Sequence, residues 1–404
     1  MVRLNFSLIA TLIMIAFKPL TGQISVDSSK YVNRKLKVDE INFVTGYYQQ
    51  DGNNAAVTGG IGDEHLKDVA TTFNLNFSKY DKNFNKHTLK AELGIDFYTS
   101  ASSDKINPNT ISSASSGDVR VYPSLNYGFI NESKHYSLGG GISFSNEYDY
   151  QSFGSNLQYG TWSKDRNREF SAKVSVFLDR WKVIYPFELR PPGYGTGGDD
   201  GGGNIDFSSR NSFNLGLVYS WVVNRNFDMA VLTDLTHQRG LLGTKFHRVY
   251  FNEGSVKPEN APDKRTKIPV GMRANYFAGD NIVLRSFYRY YWDDWDIKSH
   301  TASLEMSYKL SPFFSLAPSY RYYTQTAANF FEAYKGHDIS EAYYSSDYDL
   351  SKFNSNMIGI NARFSNLDKK LFLVSMQTIE LRYSYYKRST GLTAHVMTVA
   401  LTFK

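Results

Sequence analysis

From about Asp39 to the end of the chain, apolar and polar residues alternate with a period of two. In 281–293, Ile282, Leu284, Tyr288, Tyr290 and Trp292 hold even positions, while Arg285, Arg289 and Asp293 hold odd ones. In 299–310, Ala302, Leu304, Met306, Tyr308 and Leu310 alternate with Ser303, Glu305, Ser307 and Lys309. A strand sends successive side chains to opposite faces, so each segment has one apolar and one polar face. The pattern predicts strands at 39–50, 67–80, 87–99, 118–129, 135–147, 151–163, 168–181 and 211–223. Eight more follow at 226–238, 265–277, 281–293, 299–310, 313–326, 352–366, 370–387 and 391–404.

The connections alternate in length. Short ones fall at 81–86, 130–134, 164–167, 224–225, 278–280, 311–312 and 367–369, and carry the Asn, Asp, Gly, Ser, Pro and Lys of tight turns. Long ones fall at 51–66, 100–117, 182–210, 239–264 and 327–351. Short turns after even strands and long loops after odd ones put both chain ends on one side. Strand length, aromatic strand ends and hairpin rhythm predict an all-β fold. It is a closed antiparallel transmembrane β-barrel of about 16 strands, with short periplasmic turns and long extracellular loops. Closure leaves no unpaired strand edge in lipid. The glycine-rich stretch Gly193–Gly203 reads as a flexible loop tip, not a domain linker.

Composition sharpens this. Mean hydropathy is negative, and 41% of the 404 residues are apolar. A barrel tolerates this because every second residue meets lipid. Aromatics make up 16% of the chain, with 30 Tyr and 28 Phe, as interfacial girdles require. Residues 1–22 read as a secretory signal, with Arg3 ahead of the apolar run Leu8–Phe17. Residues 23–38 would then be a periplasmic N-terminal segment and 39–404 the barrel, integral to the outer membrane after export. The last strand, with Phe403 before Lys404, is similar to the ending that the barrel-assembly machinery recognises. The absence of cysteine excludes disulfides, thiolate metal sites and a lipoprotein anchor. The net charge of +6 is spread without a basic block, which gives no support to nucleic-acid binding.

Several segments resemble the outer-membrane family known as domain of unknown function 3570, in its Bacteroidota form. They are DKINPNTISSASSGDVRVYPSLNY at 104–127, NEYDYQSFG at 146–154, FHRVYFNEGSV at 246–256 and YRYYWDDWDIKSHT at 288–301. PFFSLAPSYRYYTQTAANFF at 312–331 and SSDYDLSKFNSN at 345–356 are similar too. The resemblance implies a barrel rather than a reaction, and no catalytic residue is carried over. It also hints at genes for a small lipoprotein, a thioredoxin-like protein and a flavin transferase nearby, hence at an envelope redox partner.

Three constellations are candidates for chemistry. If the apolar face meets lipid, the opposite face lines the lumen with Lys90, Arg120, Lys173, Arg273, Arg285, Arg289, Arg321, Arg363 and Arg382. It also carries Glu92, Asp96, Asp179, Asp234, Glu305 and Glu380. These charges either pair across strands and fill the interior, or leave a basic wall that favours anions. Second, Tyr288-Arg-Tyr-Tyr291 recurs as Tyr320-Arg-Tyr-Tyr323, with a variant at Arg382–Tyr386. Tyr288, Tyr290, Trp292, Tyr320, Tyr322, Tyr383 and Tyr385 then form an aromatic girdle, with Arg289, Arg321 and Arg382 pointing inward. Third, Asp293, Asp294 and Asp296 flank Trp295 near His300, residue types that fit general-base work at an outer rim. No second acidic pair can be matched to them, and no nucleophile elbow or phosphate loop is present. Asp199 and Asp200 lack calcium-loop spacing and read as solvated.

The expected function is a non-enzymatic outer-membrane channel, or the membrane component of an envelope assembly, without cofactor or metal. The alternatives are a rim protease or lipid hydrolase, and a scaffold for a surface lipoprotein. Expected partners are outer-membrane lipid and lipopolysaccharide, the assembly machinery, and a small lipoprotein or redox protein.

Overall fold

The computed structural model describes residues 36–99, 117–192, 194, 206–371 and 374–404. The expected signal, the glycine-rich stretch around Asp199 and Asp200, and most of loop 100–117 lie outside them. Sixteen long strands and one short hairpin are present. In chain order the first nine are β1 (Lys37–Asp51), β2 (Leu66–Tyr80), β3 (Lys86–Thr99), β4 (Gly117–Asn131), β5 (Tyr136–Asn146), β6 (Tyr150–Trp162), β7 (Arg168–Lys182), β8 (Phe207–Asn224) and β9 (Phe227–Gly240). The hairpin is β10 (Arg248–Tyr250) and β11 (Val256–Pro258). The wall resumes with β12 (Lys264–Ala278), β13 (Ile282–Asp293), β14 (Lys298–Ser311), β15 (Phe314–Gln325), β16 (Phe353–Leu371), β17 (Val374–Arg388) and β18 (Thr393–Phe403).

Each wall strand pairs with its sequence neighbour, and β1 pairs antiparallel with β18, which closes the barrel. The closing register runs from Ile41 opposite Phe403 to Asp51 opposite Thr393. The expected closed antiparallel barrel is therefore the fold. Most strand limits fall within a few residues of the sequence reading. One connection is corrected: β16 runs through 367–369 to Leu371, and β17 begins at Val374. A register shift between Ser365 and Lys369 takes up the extra residues as a bulge, so the ladder continues past the polar stretch that reads as a turn. A second difference is the β10–β11 hairpin inside the long loop 241–263.

Among the described residues, the wall encloses no continuous apolar core. Most of its large apolar residues point out: Leu157 is 70% exposed, Ile358 63%, Ile142 53% and Leu304 50%. A soluble protein would hide such a continuous band. The largest buried apolar side chains gather instead at the end that carries the long connections. Val249 and Phe251 are fully buried, and Trp295, Ile297, Ala328 and Phe330 form a cluster with Leu242, Ala261, Tyr291, Phe331 and Leu350.

One barrel end has short turns set by local chemistry. In the β2–β3 turn, Asp81 accepts hydrogen bonds from the amides of Asn83 and Asn85, while Phe84 takes a left-handed backbone conformation. The other end has the long loops, of which 52–65, 241–263 and 326–352 are described throughout and are folded.

Candidate functional site

The interior is polar. A cavity of about 630 Å³ lies against β3–β9 and β12, with Arg120, Asn126, Asn156, Lys173, Asp179 and Gln238 in its lining. Arg120 donates to Ser145 and lies over the Tyr122 ring, whose hydroxyl donates to Asp96. Asp179 is buried, accepts from Tyr150, and pairs with Arg210 at 3.4 Å. This side of the lumen mixes neutral polar groups with the paired Glu92 and Asp179 and with Arg120, Lys173 and Lys267, which have no carboxylate within ion-pair distance among the described residues.

The other side is basic too, and its cations are all arginines. A second cavity, of about 330 Å³, is lined by Arg289, Thr301, Arg321, Tyr323, Asp349, Phe353, Ser355, Tyr386 and Arg388. Arg388 is paired with Asp349 at 2.7 Å. Arg289 reaches Thr301 at 3.4 Å, and its buried Nε has no hydrogen-bond partner. Among the described residues, neither Arg289 nor Arg321 has a carboxylate within ion-pair distance. Arg321 sits opposite Ser303 and Met357 in the sheet, both uncharged.

The remaining lumen candidates divide by pairing. Arg285 binds Glu305 at 2.7 Å, Arg382 binds Glu380 at 2.9 Å, and Lys90 binds Glu92 at 3.1 Å. Arg363 stands opposite Glu380 in the sheet, and Arg273 opposite Phe287 and Ala230. All share the face opposite the exposed apolar residues. The tyrosines lie on the other face: Tyr288, Tyr290, Trp292, Tyr320, Tyr322 and Tyr383 are each at least about a third exposed. Tyr385 is partly covered, its ring 5.2 Å from His395. Two outward histidines cap this set, with His300 bonded to Tyr288 and His395 to Tyr383.

The structure takes apart the acidic rim candidate. His300 faces outward with Tyr288, whereas Asp293 is fully buried. Asp293 accepts from Arg265, the Tyr291 hydroxyl and the amides of Trp295 and Ile297, so it organises the β13–β14 turn. Asp294 accepts from the Thr266 amide, and Asp296 lies 3.5 Å from Lys298. The Asp–His pair that rim catalysis needs is not formed.

Above the wall, segment 183–192 meets loops 52–65, 241–263 and 326–352. Arg248 donates to the Val57 carbonyl at 2.7 Å and pairs with Glu188 at 2.6 Å. Gly59 has a left-handed φ of 81°, and a Cβ there would lie 2.6 Å from the Tyr250 ring. In the strand order, β9 and β12 stand on the opposite side of the barrel from β1 and β2. Contact between their loops therefore requires the cap to cross the mouth. Phe251 packs on Tyr344 and His337, and His337 bonds Glu341 at 2.6 Å and the Ser345 carbonyl at 3.0 Å.

The cap is also where charge is crowded. Burial, with the nearby Asp349 charge, pushes the Glu64 carboxyl up to about 7. Burial, again with Asp349, pushes Asp347 up to about 6. Burial works against a charged His247, but the Glu259 carboxylate outweighs it and holds the imidazole above its ordinary value. Burial likewise opposes ionised Glu259, yet His247, Ser345 and Thr244 hold it below the usual range. None of these cap residues was singled out in the sequence. One signal was available: Asn252-Glu-Gly254 is a hairpin turn, and its register places His247 opposite Glu259.

A closed barrel with an apolar outer band and a polar interior is the architecture of a membrane-spanning β-barrel protein. The family model for "Protein of unknown function (DUF3570)" matches residues 8–399. The chain belongs to this family. No curated protein matches it. Among solved structures it is similar to a bacterial polysaccharide outer membrane secretin, at 9% identity and a TM-score of 0.46, covering 90% of this chain and 98% of that one. It is similar to a BenF-like porin from Pseudomonas fluorescens Pf-5, at 8% identity and a TM-score of 0.42, covering 90% and 98%. It is also similar to the ferric enterobactin receptor PfeA from Pseudomonas aeruginosa, at 8% identity and a TM-score of 0.46, covering 87% and 54%.

Proposed function

We propose that this protein is an outer-membrane channel that favours small anionic solutes, with a folded cap across its outer mouth. The observation that carries this reading is the pair of inward arginines, Arg289 and Arg321, which share one cavity without a carboxylate partner. A sixteen-strand barrel is wide enough to leave an aqueous passage, which narrower barrels fill with side chains. Fixed positive charge on such a wall lowers the barrier to anions and raises it to cations. The paired groups, such as Arg285 with Glu305, present little net field.

The test is the reversal potential across a salt gradient in planar bilayers. The wild type should prefer anions, and Arg289→Ser combined with Arg321→Ser should move the ratio toward cations. An unchanged ratio in the double variant would remove these residues from any selectivity role.

A second reading is a membrane component of an envelope assembly, a scaffold for a small lipoprotein or redox partner. The cap favours it, because loops from opposite sides of the barrel are locked into one surface. Absence of conductance, with a partner retained in mild detergent, would favour this reading over the channel.

A further inference from the structure

Two loops that leave the wall at different strands bring His247, Glu259 and Asp347 to one point. One ligand atom from each lies within 4.8 Å of the others. We propose that these side chains form a binding site for a divalent transition-metal ion of the zinc type, joining loop 241–263 to loop 326–352. The proposal concerns the cap and does not depend on whether the barrel conducts.

The donor set argues for the ion class. One imidazole nitrogen with two carboxylates suits zinc and its neighbours, whereas calcium takes six to eight oxygens. Three protein ligands leave one position for water. Ligand atoms about 2.0–2.2 Å from a tetrahedral ion are about 3.3–3.6 Å apart; His247 Nδ1 and Glu259 Oε2 already stand at 3.4 Å, and Asp347, within 4.8 Å of them, must draw in by at most about 1.2–1.5 Å.

The ligands are held from behind, as metal ligands are. The Glu259 carboxylate accepts from the Ser345 hydroxyl and from the Thr244 amide at 2.6 Å. Asp347 accepts from the Asp349 amide at 2.9 Å, and its own amide donates to Ser345 Oγ at 3.1 Å. The His247 carbonyl accepts from the Glu259 amide at 2.9 Å, which fixes these two residues side by side.

An independent observation points into the cluster. His247 Nδ1 is buried and makes no aligned hydrogen bond, although it lies 3.4 Å from Glu259 Oε2. The neighbouring cations are turned elsewhere. Lys245 donates to the Glu259 carbonyl and to Asn260, Arg388 pairs with Asp349, and Arg248 pairs with Glu188. Two carboxylates therefore face one imidazole, and a dication would supply the charge that the protein does not.

The experiment uses the full chain without a polyhistidine tag, in detergent, stripped with chelator and titrated calorimetrically with zinc chloride. One zinc per chain is expected. His247→Ala and Asp347→Asn should each weaken binding by at least about tenfold. Calcium in excess should not displace the zinc. Zinc should also slow proteolysis of loops 241–263 and 326–352 in the wild type but not in Asp347→Asn. The gel shift between boiled and unboiled samples shows that each variant still has its barrel. No one-to-one binding, or binding unchanged in both variants, would overturn the proposal and leave His247 and Glu259 as a plain ion pair. Displacement by calcium would overturn the ion class.

Discussion

The wall and the cap of this protein are stabilised by different means. The wall holds itself by its hydrogen-bonded ladders, closed from β1 to β18, and turns its large apolar residues outward. The cap resembles a small soluble domain, with fully buried Phe251, Val249 and His337 and charges fixed in networks. The wall needs lipid to cover it, whereas the cap covers itself. A change in one region should therefore leave the other standing.

The largest effect is expected in the cap. Phe251 has no exposed surface and packs on Tyr344 at 4.9 Å between ring centres. Phe251→Ala should cost about 3–5 kcal/mol of cap stability. Limited proteolysis should then cut the 241–263 and 326–352 loops rapidly, while the boiled and unboiled forms still migrate apart. Loss of both properties together would show that cap and wall unfold as one unit.

Next is the wall. Leu304 is 50% exposed on the outer face, opposite Tyr320 and Ser286. Leu304→Arg should cost about 2–4 kcal/mol near the bilayer midplane and reduce assembled protein in the membrane. Ser307→Arg, three residues on and inward, should assemble normally. Ser303 is a poorer control than its parity suggests, because it faces Arg321 across the sheet. Equal loss from Leu304→Arg and Ser307→Arg would mean that the register or the environment is wrong.

These contrasts also explain what could be read in the sequence. The wall was legible because its rule is local: two-residue periodicity sets both the strand and the face of each side chain. Parity alone puts Arg289 and Arg321 on the polar face. Even there, the rule failed at 367–369, where a bulge carries the strand through residues that look like a turn. The cap has no period. Its contacts join distant residues, as when Arg248 reaches Val57, 191 positions away. Arg388 escaped notice for a related reason. It closes the arginine cavity from the end of a strand, where alternation gives way to loop contacts. The residue type of Asp293 fits a base, whereas its burial and its bonds to the turn amides make it a turn anchor.

A smaller effect should separate the regions by pH. The Glu64 carboxyl, raised by burial and by Asp349 from 4.5 to about 7, holds its proton in the folded cap and loses it in the opened loop. Its contribution is full at low pH and is lost as pH rises through about 7. Asp347 shifts in the same direction, while Glu259 shifts in the other. Cap cleavage in metal-free protein should therefore quicken from about pH 5 to about pH 8, and the wall should not respond. Glu64→Gln keeps the neutral form at every pH, so it should flatten the Glu64 part of that rise. An identical profile in the variant would remove Glu64 from the account.

The smallest effect concerns two kinds of inward arginine in the same wall. Arg285 and Glu305 face each other across β13 and β14 at 2.7 Å, and Arg285 is about half exposed. Such a pair contributes about 0–1 kcal/mol and nearly cancels its own field. Replacing both partners, Arg285→Ser with Glu305→Ser, removes one charge of each sign. Stability and ion preference should then both stay close to wild type. Replacing Arg285 alone exposes Glu305 and should move the preference toward cations. Arg289 and Arg321 have no such partner, so their joint replacement removes two uncompensated positive charges and should move the preference further. Measured in one bilayer series, the expected order of displacement is the double arginine variant, then Arg285→Ser, then the paired replacement. A large displacement from the paired replacement would show that the field in the lumen is set by position along the passage rather than by pairing.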